Sequence, residues 1–323
     1  MVKSETMHVN NGDGWQLGLV RVYDPVVLEK KRKPVVIVPG YGMNGFIFTY
    51  HPSGKSLSEA MAERGLEVWI ANLRGQDPSF STGGGRDFNL QDLALKDLPA
   101  ILKRITSETL TGQEDVDLIG ASLGGTIAFI YMALGNGPAV HALVAIGSPL
   151  RWEAVHPLVR IVFGNAFLAA LLPTRGIRSM ARVFLPLLEK MPYLLSMYLH
   201  PELVDLKAAP NLVRTVENPS KALNLQISSW IRKRDLIING NSLTDSFRRT
   251  KSSILCVVAK GDGIVPRPTA TSALKYCDSD VREVLEIGDR QKNYAHADLF
   301  VGKDAEQDVF TPIADWLMSL ART

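Results

Sequence analysis

The stretch Val116-Asp-Leu-Ile-Gly120-Ala-Ser122-Leu-Gly124-Gly125 decides how this chain reads. Its first half is a short apolar run of strand character. From Leu123 onward Ile127, Ile130 and Leu134 recur at helical spacing. Between the two lies Gly-x-Ser-x-Gly. A strand that turns at once into a helix brings their backbones so close that side chains two residues either side of the serine would collide, hence Gly120 and Gly124. The same turn lifts the Ser122 hydroxyl clear of a sheet, where a base can reach it. That base is needed, because a serine hydroxyl is a poor nucleophile until its proton is taken. A phosphate loop would need Gly-Lys-Ser/Thr and a dinucleotide loop Gly-x-Gly-x-x-Gly. Neither spacing occurs at this turn.

Outward from this turn, short β-branched runs alternate with longer segments of helical period. The pattern predicts an α/β fold with a mostly parallel central sheet flanked by helices. Strand candidates are Val35–Val38, Glu67–Ala71, Val116–Gly120, Ala142–Ile146, Ile254–Ala259 and Glu283–Ile287, with an antiparallel edge pair around Trp15–Tyr23. Leu95, Leu98, Leu102 and Ile105 share a helix face, and Pro99 either starts that helix near Asp97 or kinks it. The alternation fails between about Arg151 and Arg249, where the period is helical and no strand is evident. The chain therefore reads as a core built from residues 1–150 and 250–323, with residues 151–249 inserted before the late strands as a helical cap.

A nucleophile needs a base and an orienting acid, in the chain order Ser, Asp/Glu, His for this type of turn. Of the six histidines only His296 lies beyond the late strands, in the short loop Tyr294-Ala-His-Ala-Asp298. Asp262 follows the strand Ile254–Ala259 in Lys260-Gly-Asp262-Gly-Ile-Val-Pro266 and is the expected acid. Glu153, shortly after the preceding strand, is the alternative, and Asp298 is read as an anchor for the histidine's loop. An oxyanion hole needs two backbone N–H donors. Leu123, the residue after the nucleophile, supplies one. Tyr41, in the glycine-rich turn Pro39-Gly-Tyr-Gly-Met-Asn44 after the strand Val35–Val38, supplies the other.

Composition narrows the field further. The chain is 46% hydrophobic and 21% charged, an ordinary globular balance. Its net charge of +3 comes from 36 basic and 33 acidic residues that are interspersed, so nucleic acid is not expected as a partner. Two cysteines, Cys256 and Cys277, make no disulfide framework, and Met1–Trp15 lacks the apolar core of a secretory signal, so a cytoplasmic protein is expected. No His/Cys cluster at ligand spacing suggests a metal.

These residues resemble the α/β-hydrolase superfamily over essentially the whole chain. Pro39-Gly-Tyr-Gly looks like its His-Gly-x-Gly turn, with proline in place of histidine. Asn72-Leu-Arg74-Gly75-Gln-Asp-Pro-Ser79 looks like its Arg-Gly-x-Gly-x-Ser loop. The turn at Ser122, the acid loop at Asp262 and His296-Ala-Asp298 follow in the family's order. Within the superfamily the similarity is to lipase-like members, acid lipases among them, and to polyhydroxyalkanoate synthases. The synthases carry cysteine at the nucleophile position and dehalogenases aspartate, so Ser122 points away from both chemistries.

The resemblance implies a serine esterase or lipase acting through an acyl-enzyme, with Ser122 as nucleophile, His296 as base, Asp262 as orienter and no metal or organic cofactor. An acyltransferase on the same residues, or a non-catalytic ligand-binding protein on the same scaffold, are the competing readings. The expected partner is a small-molecule or lipid-like ester. Leu158–Leu172 is nearly continuous apolar sequence but shorter than the ~20 residues of a membrane span, and is expected as one buried or interfacial helix. With Leu185–Leu188 and Pro192–Tyr198 it either packs the cap or forms an apolar acyl tunnel. Arg175, Arg178 and Arg182 on one helical face read as a solvated basic face or as a contact with a lipid interface.

Overall fold

The computed structural model describes residues 1–188, 196–205, 207, 209–289 and 291–320. Strands β1 (Lys3–Asn10), β2 (Trp15–Tyr23), β3 (Val35–Val38), β4 (Val68–Ala71), β5 (Phe80–Ser81), β6 (Val116–Ala121), β7 (Val140–Ile146), β10 (Ser253–Ala259) and β11 (Arg282–Ile287) form one sheet. The two remaining strands, β8 (Ile237–Ile238) and β9 (Asn241–Ser242), make a small separate hairpin. The main sheet runs in the order β1-β2-β4-β3-β6-β7-β10-β11, with β5 beside β2. From β4 to β11 every pairing is parallel, whereas β2 pairs antiparallel with both β1 and β4. The early antiparallel pair is thus β1 with β2, and Trp15–Tyr23 supplies only its inner member.

Parallel central strands are covered on both faces, and these are built accordingly. All residues of β3, β4 and β6 are buried. The helices that bear on the site or cover the sheet include α1 (Leu57–Ala62), α2 (Leu98–Glu108), α3 (Leu123–Leu134), α4 (Pro157–Phe163), α5 (Ala166–Leu171), α6 (Ile177–Leu188), α7 (Lys221–Lys233), α8 (Leu243–Phe247) and α9 (Thr311–Ser319). Residues of α2, α3, α7 and α8 pack in one apolar cluster with Val36 and Val38, while those of α1 and α9 pack in another with Val35 and Ile37. Pro99 falls in the first turn of α2, directly after a single π-helical turn at Leu93–Asp97. Leu98, Ile101, Leu102 and Ile105 of α2 are fully buried, each contributing about 1.5–3 kcal/mol of transfer free energy.

Topology places the site. After β3 the chain crosses to β4 on one side, then returns to lay β6 on the other, so the carboxyl ends of β3 and β6 flank a crevice at a change of winding direction. Open α/β sheets bind their ligands at such a point.

Between β7 and β10 the regular elements of the described residues are helices apart from the β8–β9 hairpin, two residues in each arm, which the sequence pattern did not suggest. Leu158–Leu172 is not one helix. It breaks at Gly164-Asn165, where Asn165 caps α5 by accepting from the Phe167 N–H at 2.8 Å. Nor is it buried, since Ile161, Phe167 and Leu171 are 60%, 70% and 63% exposed. The break lets Val159 and Phe163 face inward while the opposite side of the pair meets solvent. Arg175 precedes α6, and Arg178 is tied down by the Val216 carbonyl at 2.9 Å and the Glu217 carboxylate at 2.7 Å. Residues 192–195 of the second leucine-rich run lie outside the described residues, as do the side chains of Leu185–Leu188. No helix among the described residues is long and apolar enough to cross a membrane.

Candidate active site

Ser122 sits between β6 and α3 with φ 53° and ψ −118°, a left-handed conformation that costs a non-glycine residue about 1–3 kcal/mol. The surroundings hold it there. Its N–H donates to the Ile146 carbonyl at 2.8 Å, tying the turn to the end of β7. A Cβ at Gly124 would lie 2.1 Å from the Val38 carbonyl oxygen, and one at Gly120 would lie 2.2 Å from the Gly125 Cα. Strand and helix therefore approach as closely as the motif implied.

The turn after β3 lies against this one. A Cβ on Gly40 would come within 2.8 Å of the Ala121 carbonyl oxygen and 3.2 Å of the Ser122 Cβ. Tyr41 follows, its phenol donating to the Asn224 side-chain oxygen of α7 at 2.6 Å. Burial pushes that phenol's pKa up, keeping it a neutral donor. Leu123 is the first residue of α3, so its N–H has no partner within the helix. Among the described residues, neither the Tyr41 nor the Leu123 backbone N–H has a protein acceptor.

His296 and Asp262 meet at the carboxyl ends of β10 and β11. Nδ1 of His296 is 2.6 Å from Oδ2 of Asp262, and both side chains are buried. Oδ1 of Asp262 accepts from the N–H groups of Ile264 and Val265, each at 2.8 Å, so the carboxylate is fixed from both sides. An ionised carboxylate can only accept, which puts the imidazole proton on Nδ1 and leaves Nε2 with a free lone pair. Glu153 stands elsewhere, accepting from the Tyr276 hydroxyl at 3.0 Å with Arg151 beside it. Ser122, Leu123, Tyr41 and His296 all line one cavity of about 260 Å³, walled mostly by apolar side chains that include Met43, Phe163, Trp230 and Ile231.

Three contacts of the site were not foreseen from the sequence, two of them made by residues of the run Pro192–Tyr198. Gly147, next after β7, has φ +54°, and a Cβ there would meet His296 Cε1 at 2.9 Å and Asp262 Oδ2 at 3.3 Å. A glycine directly after a buried strand was the available signal. Tyr198 lies with its ring centroid 6.1 Å from that of His296, and its carbonyl accepts from the Ala297 N–H at 2.7 Å. The Met197 carbonyl accepts from the Gly263 N–H at 3.1 Å. Neither of these two contacts has a local sequence signature. Asp298, fully buried, accepts from the N–H groups of Ala295 at 2.8 Å and His200 at 3.0 Å and lies 3.1 Å from the His200 ring nitrogen. Burial pushes its pKa up against those hydrogen bonds. Its contacts are those of a loop anchor. Among the described residues no group of three or more His, Cys, Asp or Glu is arranged to hold a metal ion.

Comparison with known proteins agrees with this architecture. Residues 33–266 match the family model described as alpha/beta hydrolase fold. Over 160 residues the chain is 32% identical to a Schizosaccharomyces pombe protein described as a probable lipase, a match covering 44% of this chain and 34% of that protein. It is 29% identical over 187 residues to mouse (Mus musculus) gastric triacylglycerol lipase, covering 50% of this chain and 46% of the relative. The matches thus span less than half the length of either relative. Among solved structures, an esterase from Exiguobacterium antarcticum superposes with a TM-score of 0.65 over 98% of this chain and 100% of the other, at 17% identity, a likeness of fold.

Proposed function

The chain belongs to the α/β-hydrolase fold family, and we propose that it is a serine hydrolase of carboxylic esters with hydrophobic acyl groups. The lipase relatives support hydrolysis of this broad type, and the site supports the finer mechanism. In this reading His296 Nε2 takes the Ser122 proton as the oxygen attacks the ester carbonyl. The carbonyl's electron pair moves onto its oxygen, which the Leu123 and Tyr41 N–H groups receive. Collapse of that intermediate expels the alcohol, which leaves with the proton from His296. Water, deprotonated by the same imidazole, then releases the acid and restores Ser122. Asp262 holds the imidazole in the tautomer that each step requires.

The observation that carries the proposal is the short Asp262–His296 contact at the rim of the apolar cavity that Ser122 also lines. Turnover of chromogenic acyl esters by wild type and Ser122→Ala tests it. Loss of about 10³-fold or more in the variant is expected, and equal turnover in both would refute the assignment.

A further inference from the structure

The cavity beside Ser122 meets a second cavity at two side chains. The first, about 260 Å³, is apolar. The second, about 470 Å³, is lined by Glu153, Arg160, Arg232 and Arg234 among others. Trp152 and Ile231 line both, and each is only 5% exposed, so these two residues stand between the cavities. Helix α4 repeats the division: Val159 and Phe163, one turn apart, line the apolar cavity, and Arg160 and Gly164, also one turn apart, line the charged one.

Resting on the esterase reading above, we propose that Trp152 and Ile231 are specificity-determining residues that end the acyl cavity at about ten carbons. An apolar cavity of ~150 Å³ accepts the six carbons of benzene, so one of about 260 Å³ accommodates roughly ten. Up to that length each added methylene is buried against apolar walls, worth about fourfold in kcat/KM. Beyond it the chain must displace the partition and enter a space lined by Glu153, Arg160, Arg232 and Arg234. There a methylene gains less apolar burial and competes with water for charged side chains.

The test is the dependence of kcat/KM on acyl length, from four to sixteen carbons, for wild type and Ile231→Ala. Wild type is expected to rise to about ten carbons and to fall at least tenfold by sixteen, and the variant to peak at least two carbons later. Wild type cleaving hexadecanoyl esters as well as decanoyl ones overturns the proposal, as does an unchanged optimum in a folded variant. Should Ile231→Ala not fold, Ile231→Val serves: the dodecanoyl-to-decanoyl ratio rises at least twofold, or the proposal fails.

Tryptophan fluorescence of Ser122→Ala, titrated with linear alkanols of six to sixteen carbons, reads the cavity without turnover. Affinity that climbs to about ten carbons and then stops supports the partition, and a gain continuing to sixteen overturns it. Failure of the esterase reading shows instead as turnover that survives Ser122→Ala.

Discussion

Asp262 divides its carboxylate between two tasks: Oδ2 lies 2.6 Å from Nδ1 of His296, while Oδ1 takes the N–H groups of Ile264 and Val265 that follow it in the chain. An asparagine could keep the second task and would spoil the first, because whichever end faces the imidazole no longer carries the charge that favours Nδ1–H. Asp262→Asn is expected to lower kcat/KM by about 10⁴ with little change in melting temperature. Glu153→Gln, which alters a contact with Tyr276, is expected to stay within threefold of wild type. Steady-state kinetics on both variants checks the choice of acid; the opposite ranking would transfer the role to Glu153.

Gly147 offers a subtler perturbation. A methyl group there would press on the imidazole edge 2.9 Å away and strain a backbone at φ +54°. Displacing a catalytic group by about 1 Å costs on the order of 10² in rate. Gly147→Ala is therefore expected to lose at least that factor in kcat while still unfolding cooperatively. A variant with wild-type kcat would show that the imidazole has room the structure does not suggest.

Asp298 is expected to matter for stability first. Replacing it with alanine strands the buried N–H group of Ala295 and the partly buried one of His200. At about 1–3 kcal/mol for each unsatisfied donor, Asp298→Ala should lose on the order of 3 kcal/mol, read from urea unfolding. A loss below about 1 kcal/mol would mean that these donors find other partners.

Asp117 gives a pH dependence remote from the chemistry. It is buried in β6, with the His141 ring nitrogen 2.9 Å away, and burial raises its pKa despite His141 and Lys33. A carboxyl whose folded pKa exceeds its unfolded value of about 3.9 contributes fully below that value, and its contribution is lost as pH rises through the folded one. Asp117→Asn, neutral throughout, should match wild type near pH 4 and gain on it as pH rises above that. Urea midpoints across that range decide the point, and a gap that narrows with rising pH would reverse the sign.

The parts that were legible in the sequence are those where local pattern and final structure coincide. Gly120 and Gly124 mark the turn at Ser122 because backbone contact excludes any side chain there, and chain order alone singled out His296. The inserted segment was harder to read. The apolar composition of Leu158–Leu172 suggested one buried or interfacial helix, but composition does not register the break that the Asn165 cap imposes, nor which of its residues, Ile161, Phe167 and Leu171 among them, turn outward. The run Pro192–Tyr198 was read as apolar packing or tunnel, but the hydrogen bonds of Met197 and Tyr198 to the Asp262 and His296 loops were not, because backbone carbonyls, which every residue possesses, carry them and no side-chain pattern announces them.

Those carbonyls have a mechanical consequence. The Gly263 and Ala297 N–H groups, one in the Asp262 loop and one in the His296 loop, are both moored to residues 197–198, and Asp298 adds a third mooring at His200. That stretch cannot swing away from the sheet without dragging acid and imidazole along. It is a keel for the Asp262–His296 pair, holding the two loops in a common frame.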